Sequence, residues 1–166
     1  MILGFILNKV GYKTPKQQIQ DLQNNDERFK NSKLFSFEMD TNMILISESG
    51  FISLYSGFNK LLKKTYIFHL NDIRGFEVLT NGNMSASIGG AVVGGLLFGS
   101  IGSIIGGQSV ETINTMSLIF KTNNFDMPTI EFPIIQTGTT KGAIEKKVLE
   151  VTSTLEFVER KIKDQT

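Results

Sequence analysis

The most regular pattern in the sequence is an apolar stripe near its C-terminal end. Six apolar residues follow one another there at steps of four, three, four, three and four positions: Ile144, Val148, Val151, Leu155, Val158 and Ile162. This spacing places them on one face of an α-helix, so the stripe predicts an amphipathic helix over Lys141–Lys163. A coiled-coil seam has the same steps, but a stripe of about three heptads is more typical of a helix that caps a β-sheet.

The middle of the chain, residues 33–137, consists of short runs of β-branched and aromatic residues separated by turn residues. The runs predict seven strands, at residues 34–39, 43–47, 51–56, 65–70, 75–80, 115–122 and 129–134. Turns are predicted where residues that tolerate a left-handed backbone cluster, at Asp40-Thr41-Asn42, Ser49-Gly50, Asn81-Gly82 and Asn123-Asn124. Seven strands and a closing helix predict an α+β fold, mainly β. We expect a bent antiparallel sheet or a partly open barrel, with the helix covering its open edge or mouth.

The N-terminal part of the chain has a different pattern from the β-rich middle. Residues 1–30 are therefore predicted to precede a β domain formed by residues 31–166. Thr14 followed by Pro15 is typical of a helix start, because threonine caps the first turn and proline fits its first position. A short surface helix is expected over residues 15–24.

The first ten residues are mostly apolar. They lack a positively charged start and a small-residue cleavage site, so they do not predict a secretory signal. We expect Ile2, Phe5 and Ile6 to dock on the core as a short strand or amphipathic turn, with a membrane-surface role as the alternative. The predicted location is the cytoplasm, with peripheral association at the inner face of a membrane as a further option.

Residues 88–107 form an uncharged segment dominated by glycine. Eight of the 16 glycines of the protein lie there, among bulky aliphatic residues and one phenylalanine. On a helix, one face of this segment would carry only small residues, namely Ala91, Gly95, Gly99, Gly102 and Gly106. Such a glycine zipper lets a second backbone approach closely. Because each glycine disfavours a helix by about 1 kcal/mol relative to alanine, the segment must pack against some other surface to be helical.

Two kinds of surroundings satisfy this requirement for the glycine segment. Twenty helical residues would be about 30 Å long, close to the thickness of a bilayer core. A single crossing would place the strands before and after the segment on opposite sides of the membrane, although they are predicted in one sheet. We therefore expect a helical hairpin inserted between strands, with arms of about 15 Å that leave and return on the same side. The hairpin would pack in protein, within its domain or an oligomer, or associate shallowly with a membrane; strands are a weaker interpretation because glycine doublets weaken them.

The composition excludes several function classes. Lys and Arg number 17 against 16 Asp and Glu, so a net charge of +1 gives no reason to expect a nucleic acid polymer as a partner. The absence of cysteine rules out disulfides, thiol nucleophiles and thiolate metal sites. His69 is the single histidine, and no nucleophile motif or phosphate-binding glycine loop accompanies it. We predict no catalytic residues, no metal site and no cofactor, and expect a structural role for His69.

The order of these parts resembles a known family. The stretch YIFHLNDIRGFEVLTNG, the glycine-zipper insert, a strand after it and a final amphipathic helix are together similar to the pleckstrin-homology-like domains of many bacterial and phage proteins. The most specific part is Asp72-Ile73-Arg74-Gly75-Phe76 followed closely by the glycine run, and the resemblance covers about residues 34–163. Some members have an N-terminal zinc ribbon, for which this sequence has no cysteines. Some have a short C-terminal domain, which is not recognisable in this sequence. The resemblance implies a seven-stranded barrel capped by a helix, and binding rather than catalysis.

Two surfaces are candidates for that binding. Beside the glycine stripe, the connection after the third strand combines cations with an apolar side chain, and related folds often contact anionic headgroups or partner proteins there. The candidate contacts are Phe58, Lys60, Lys63 and Lys64, with an ordinary solvated hairpin as the alternative.

We therefore predict a non-catalytic interaction module whose glycine-zipper hairpin drives self-association or shallow membrane association. Its partners would be another protein, further copies of itself, or a membrane. The alternative is a phage or mobile-element inhibitor that binds a host defence protein or sequesters a small nucleotide.

Overall fold

The computed structural model describes residues 13–38, 40–57, 64–89, 112–135 and 139–165 of the chain. Within these residues, ten strands lie between two α-helices in chain order, and two 3-10 turns lie at Glu27–Phe29 and Leu70–Asp72. The elements are α1 (Pro15–Asn25), β1 (Ser32–Phe37), β2 (Asn42–Ser47), β3 (Phe51–Ser56), β4 (Lys64–His69), β5 (Ile73–Thr80), β6 (Asn83–Gly89), β7 (Thr112–Ile113), β8 (Met116–Thr122), β9 (Thr129–Ile135), β10 (Thr139–Thr140) and α2 (Lys141–Lys163).

The strands form two antiparallel four-stranded sheets and one short ladder. Sheet 1 has the order β1-β2-β3-β4, sheet 2 has the order β6-β5-β8-β9, and β7 pairs with β10. All seven predicted strands are present, with ends displaced by no more than two residues. The prediction of an α+β fold, mainly β, with a C-terminal helix is thereby confirmed.

The predicted seven-stranded barrel is not closed. Sheet 1 and sheet 2 are separate ladders in the described part of the chain, so β4 does not pair with β5 although the two are consecutive. The reason is local: the 3-10 turn Leu70–Asp72 separates the two strands and redirects the chain between them. His69 and Asp72 fix this turn, since each accepts a hydrogen bond from the other end of it.

Strand β6 is an addition to the predicted set. Asn81 and Gly82 have positive φ angles of 52° and 77°, which is the backbone of a tight two-residue hairpin turn. The turn sends the chain back along β5, where Gly89 lies opposite Gly75. The prediction of a helix over residues 88–107 is therefore wrong at its first two positions. These two residues belong to β6, because they pair with the edge of β5.

The main core lies between the two sheets and α2. Inward side chains of both sheets meet there, and the ring of Phe120 contacts those of Phe76 and Phe68 at centroid distances of 5.1 and 5.4 Å. The predicted stripe of α2 faces this core, with five members buried and Ile162 packed at its margin. The C-terminal helix thus has the predicted bounds and the predicted buried face.

A second, smaller core covers the opposite face of sheet 1. It joins Ile19 of α1 and Phe29 of the first 3-10 turn to the alternate residues of the sheet, Met43, Leu45 and Tyr55. Because neighbouring side chains on a strand point to opposite faces, both cores draw on β2, and all six of its residues are buried. Helix α1 begins where predicted: Gln17 N donates to Thr14 Oγ1 and Thr14 N donates to Gln17 Oε1, at 3.2 and 2.8 Å.

The second core contains a buried hydroxyl that offers a stability test. Ser53 of β3 is 0% exposed, and its Oγ has no hydrogen-bond partner among the described residues. We expect Ser53→Ala to raise the free energy of unfolding by about 1 kcal/mol, because it removes a desolvated and unsatisfied polar group. Urea denaturation measures the change.

The matched control is Ser47→Ala in the neighbouring strand. Ser47 is equally buried, but its Oγ accepts a 3.0 Å hydrogen bond from Ser49 N. The control should lower the free energy of unfolding by about 1 kcal/mol. Equal losses from both substitutions would contradict the prediction.

Candidate interaction surfaces

His69 holds two turns together. Its Nδ1 accepts a hydrogen bond from Asn71 N at 3.1 Å, and its Nε2 lies 3.0 Å from Ser49 O. These partners define the tautomer with the proton on Nε2, which then donates to the carbonyl. Phe51 packs against the imidazole edge-on at 4.9 Å. The side chain links the loop before β3 to the turn after β4, as expected for a structural histidine.

A cation lies next to these rings on the outer side of sheet 1. The Arg28 guanidinium lies 5.4 Å from the ring centre of Phe51 and 5.9 Å from that of Phe29. Its Nε and Nη2 also donate to the carboxylate of Asp26 at 3.0 and 2.7 Å. These side-chain hydrogen bonds lower the pKa of Asp26 and raise the pKa of Arg28. Asp26 Oδ1 also accepts from Arg28 N, so the pair caps the 3-10 turn rather than forming a reactive site.

The predicted contact residues lie almost wholly outside the described residues. This applies to the zipper positions Ala91, Gly95, Gly99, Gly102 and Gly106, and to the loop residues Phe58, Lys60 and Lys63. Lys64 is the first residue of β4, where it lies opposite Ser56. The structure therefore describes the chain on either side of the glycine segment, up to Gly89 and again from Thr112.

Those two ends are at opposite ends of β5. Strand β6 ends at Gly89 opposite Gly75, whereas β8 begins at Met116 opposite Thr80. The five steps between Gly75 and Thr80 correspond to about 17 Å along the strand. Strands β6 and β8 thus run parallel on either side of β5, and the residues between them connect one end of the sheet to the other.

The side chain of Asn81 is one of the anchors of the returning end, together with the β7–β10 ladder. Asn81 Oδ1 accepts hydrogen bonds from Asn114 N at 2.7 Å and from Thr115 N at 3.2 Å. The same asparagine has the positive φ that makes the β5–β6 turn. One residue therefore contributes both to the hairpin before the glycine segment and to the anchoring of the chain after it.

A groove separates β1 from α2. Its volume is about 830 Å³, with the buried side chains of Ile46 and Val158 at its base. Leu149 and Phe157 of α2 line its outer side and are 46% and 61% exposed. These two residues were not predicted from the sequence, because they lie off the apolar stripe of the helix. Their spacing of eight residues puts both on one helix face, and this spacing could have identified them.

Two further properties concern chemistry and membranes. Among the described residues, no group of three or more histidine, aspartate or glutamate side chains is placed to hold a metal ion. No helix within the same part of the chain is long and apolar enough to cross a bilayer.

A comparison with protein families matches residues 20–136 to the glycine zipper containing PH domain. The chain belongs to this family. The match covers both sheets together with the glycine segment, and it ends before α2. Domains of the pleckstrin-homology type are generally binding modules rather than enzymes. No curated protein and no solved structure matches the chain.

The turn beside His69 gives this PH domain a second stability test. Gly50 has φ +91°, and a Cβ there would lie 2.7 Å from His69 Nε2 and 2.6 Å from Ile162 Cδ1. We expect Gly50→Ala to lower the free energy of unfolding by roughly 3 kcal/mol, because backbone strain and a steric clash add.

Gly82→Ala provides the matched control. Gly82 has φ +77°, but nothing lies within 4 Å of its Cβ position. The control should lose only about 1 kcal/mol, from backbone strain alone. Thermal and urea unfolding of both variants measure the difference. Equal losses of unfolding free energy would show that His69 and Ile162 leave room for a side chain at Gly50.

Proposed function

We propose that this PH domain is a non-catalytic interaction module whose glycine segment drives self-association or shallow membrane association. One observation carries the proposal: the strands on either side of the segment belong to one sheet, which packs into a complete core. The segment is thus an insertion between two strands of a folded domain in a binding family.

The composition of the insertion supports an external contact. The seven glycines of residues 90–107 disfavour an isolated helix by about 7 kcal/mol relative to alanine, and this stretch has no charged side chain for water to solvate. The inner face of sheet 2 carries buried side chains such as Phe76 and Phe120, which belong to the main core. A second copy or a lipid surface would satisfy the glycine stripe by close approach.

Gly99→Leu tests the glycine stripe directly. A leucine at Gly99 should prevent close approach, so light scattering should give a smaller particle mass and vesicle flotation should give less bound protein. The control is Gly142→Leu on α2, where nothing lies within 4 Å of the Cβ position. Circular dichroism and unfolding curves establish that both variants fold.

Unchanged mass together with unchanged flotation in Gly99→Leu would contradict the proposal. Purification with and without detergent then separates the two routes, because a protein contact persists without lipid. A stable complex with a host protein that survives both Gly99→Leu and removal of lipid would instead support the inhibitor hypothesis.

The loop before β4 is proposed as an anionic contact. Reversing Lys60, Lys63 and Lys64 to glutamate should lower binding to phosphatidylserine vesicles by about a hundredfold or more, since each lysine near such a surface is worth about 1 kcal/mol. Binding to neutral phosphatidylcholine vesicles should not change. Lys16→Glu on the exposed side of α1 is the control, and an equal loss from it would leave only a general charge effect.

A further inference from the structure

Among the described residues, strand β1 pairs only with β2, so its other edge is open. The backbone bond from Glu48 N to Asn31 O, at 2.8 Å, fixes which residues of the ladder bond to β2. Because hydrogen-bonded and non-bonded pairs alternate in an antiparallel ladder, the N–H and C=O groups of Ser32, Leu34 and Ser36 point away from β2. These groups can accept a further strand.

Side chains occupy the two ends of this edge. Ser36 O accepts a hydrogen bond from Lys147 Nζ at 3.0 Å, and Ser32 O lies 3.5 Å from Gln23 Nε2. Between them, no described residue hydrogen-bonds the backbone of Leu34. Both side chains are long and flexible, so a competing backbone can replace them.

Helix α2 runs antiparallel to this edge and forms the other wall of the groove. Lys147 touches the Ser36 end, and Lys161 pairs with Glu48 at 2.6 Å beside the Asn31 end. The half-exposed side chains of the helix therefore follow the length of β1.

The spacing along the two walls agrees. Leu149 and Phe157 are eight residues apart, which is about 12 Å along a helix. Side chains on one face of a strand repeat every ~6.8 Å, so positions i and i+4 are about 14 Å apart. A strand paired with β1 would bring two of its apolar side chains onto Leu149 and Phe157, and the residue between them onto Ser153.

The charged side chains that line the groove indicate which kind of segment it binds. Two lysines that line the groove, Lys33 and Lys146, form no ion pair with a described carboxylate. Glu150 is the one lining carboxylate that forms no ion pair with a described cation, so the unpaired positive charges outnumber the negative ones. A second copy would add another Lys33 to the same edge. The N-terminal residues 1–10 contain a lysine and no acidic residue. Neither complements the groove, whereas an acidic segment does.

We propose that the groove between β1 and α2 binds an extended segment of a partner protein as an added strand. The segment carries apolar side chains at positions i and i+4 and at least one carboxylate that faces Lys33 or Lys146. Backbone hydrogen bonds to Leu34 provide its register, and Leu149 and Phe157 provide its apolar contacts. This site is separate from the glycine segment and does not depend on it.

The test selects random dodecapeptides displayed on phage against the full chain. Selected sequences should share the i, i+4 apolar pair and an acidic residue. A synthetic peptide of the best sequence should slow hydrogen exchange at the Leu34 amide. Phe157→Ser should raise its Kd by about tenfold or more, and Lys33→Glu by about fivefold.

The matched control is Phe125→Ser, which removes an even more exposed phenylalanine from the turn between β8 and β9. Its Kd should equal that of the unaltered chain. Selection of no such peptide, unchanged exchange at Leu34, or equal effects of Phe125→Ser and Phe157→Ser would overturn the proposal.

Two other occupants are distinguishable in the same experiments. Peptide binding that occurs only after residues 1–12 are removed would identify the N-terminal segment of the chain as the occupant. A particle mass that falls in Phe157→Ser without peptide would identify a second copy. Both results overturn the proposal while leaving the Gly99→Leu test of the glycine segment intact.

Discussion

Helix α2 is the element on which the rest of the structure depends, because the two sheets share no hydrogen-bonded edge in the described part of the chain. Its side chains Val148, Val151 and Leu155 are fully buried among residues of both sheets. Burial of each such aliphatic side chain is worth about 1.5–3 kcal/mol, an upper estimate that still exceeds any single surface contact. The family match contains both sheets but ends before this helix, so the matched residues alone leave the main core open on one side.

The same helix explains why the protein retains an unfilled surface. One face of α2 completes the main core, and sheet 1 is covered on its outer face by α1. Neither helix covers the edge of β1, where Lys147 and Gln23 are the side chains of the described residues that reach the backbone. The groove therefore follows from joining two open sheets with one helix, rather than from a defect in packing. Its exposed wall residues, Leu149 and Phe157, are too far from the stripe to be buried by the core.

Local chemistry made much of the fold predictable from sequence. The α2 stripe has a single period, the strands are bounded by Asn, Gly and Asp turns, and Thr14 with Pro15 marks the start of α1. Strand β6 was missed although Met84, Ala86 and Ile88 alternate with Asn83, Ser85 and Ser87, because these residues continue without a break into the uncharged glycine run. What makes it a strand is tertiary: the turn at Asn81 and Gly82 places it on the free edge of β5.

Neither the open barrel nor the groove could be predicted from the sequence, because both depend on how separate segments are placed in space. Whether two sheet edges pair depends on the direction in which a short connection leaves its strand, and the 3-10 turn at Leu70–Asp72 set that direction through hydrogen bonds of His69. The alternation of side chains in β4 does not predict the direction that the chain takes after this strand. The groove arises where two distant segments meet, and each half looks like an ordinary surface in isolation.

The attachment of the glycine segment constrains how it could act. A helical hairpin with adjacent arms returns the chain about 8–10 Å from where it left, which is less than the roughly 17 Å between the ends of β5. Residues 108–111 can extend over about 13 Å, so a hairpin within residues 90–107 remains compatible with both attachment points. Its return is anchored by Asn81, next to Thr80 at the end of β5. A partner bound to the segment would consequently act on β5, one of the two inner strands of sheet 2, from both ends, whereas the groove of β1 lies at the edge of sheet 1.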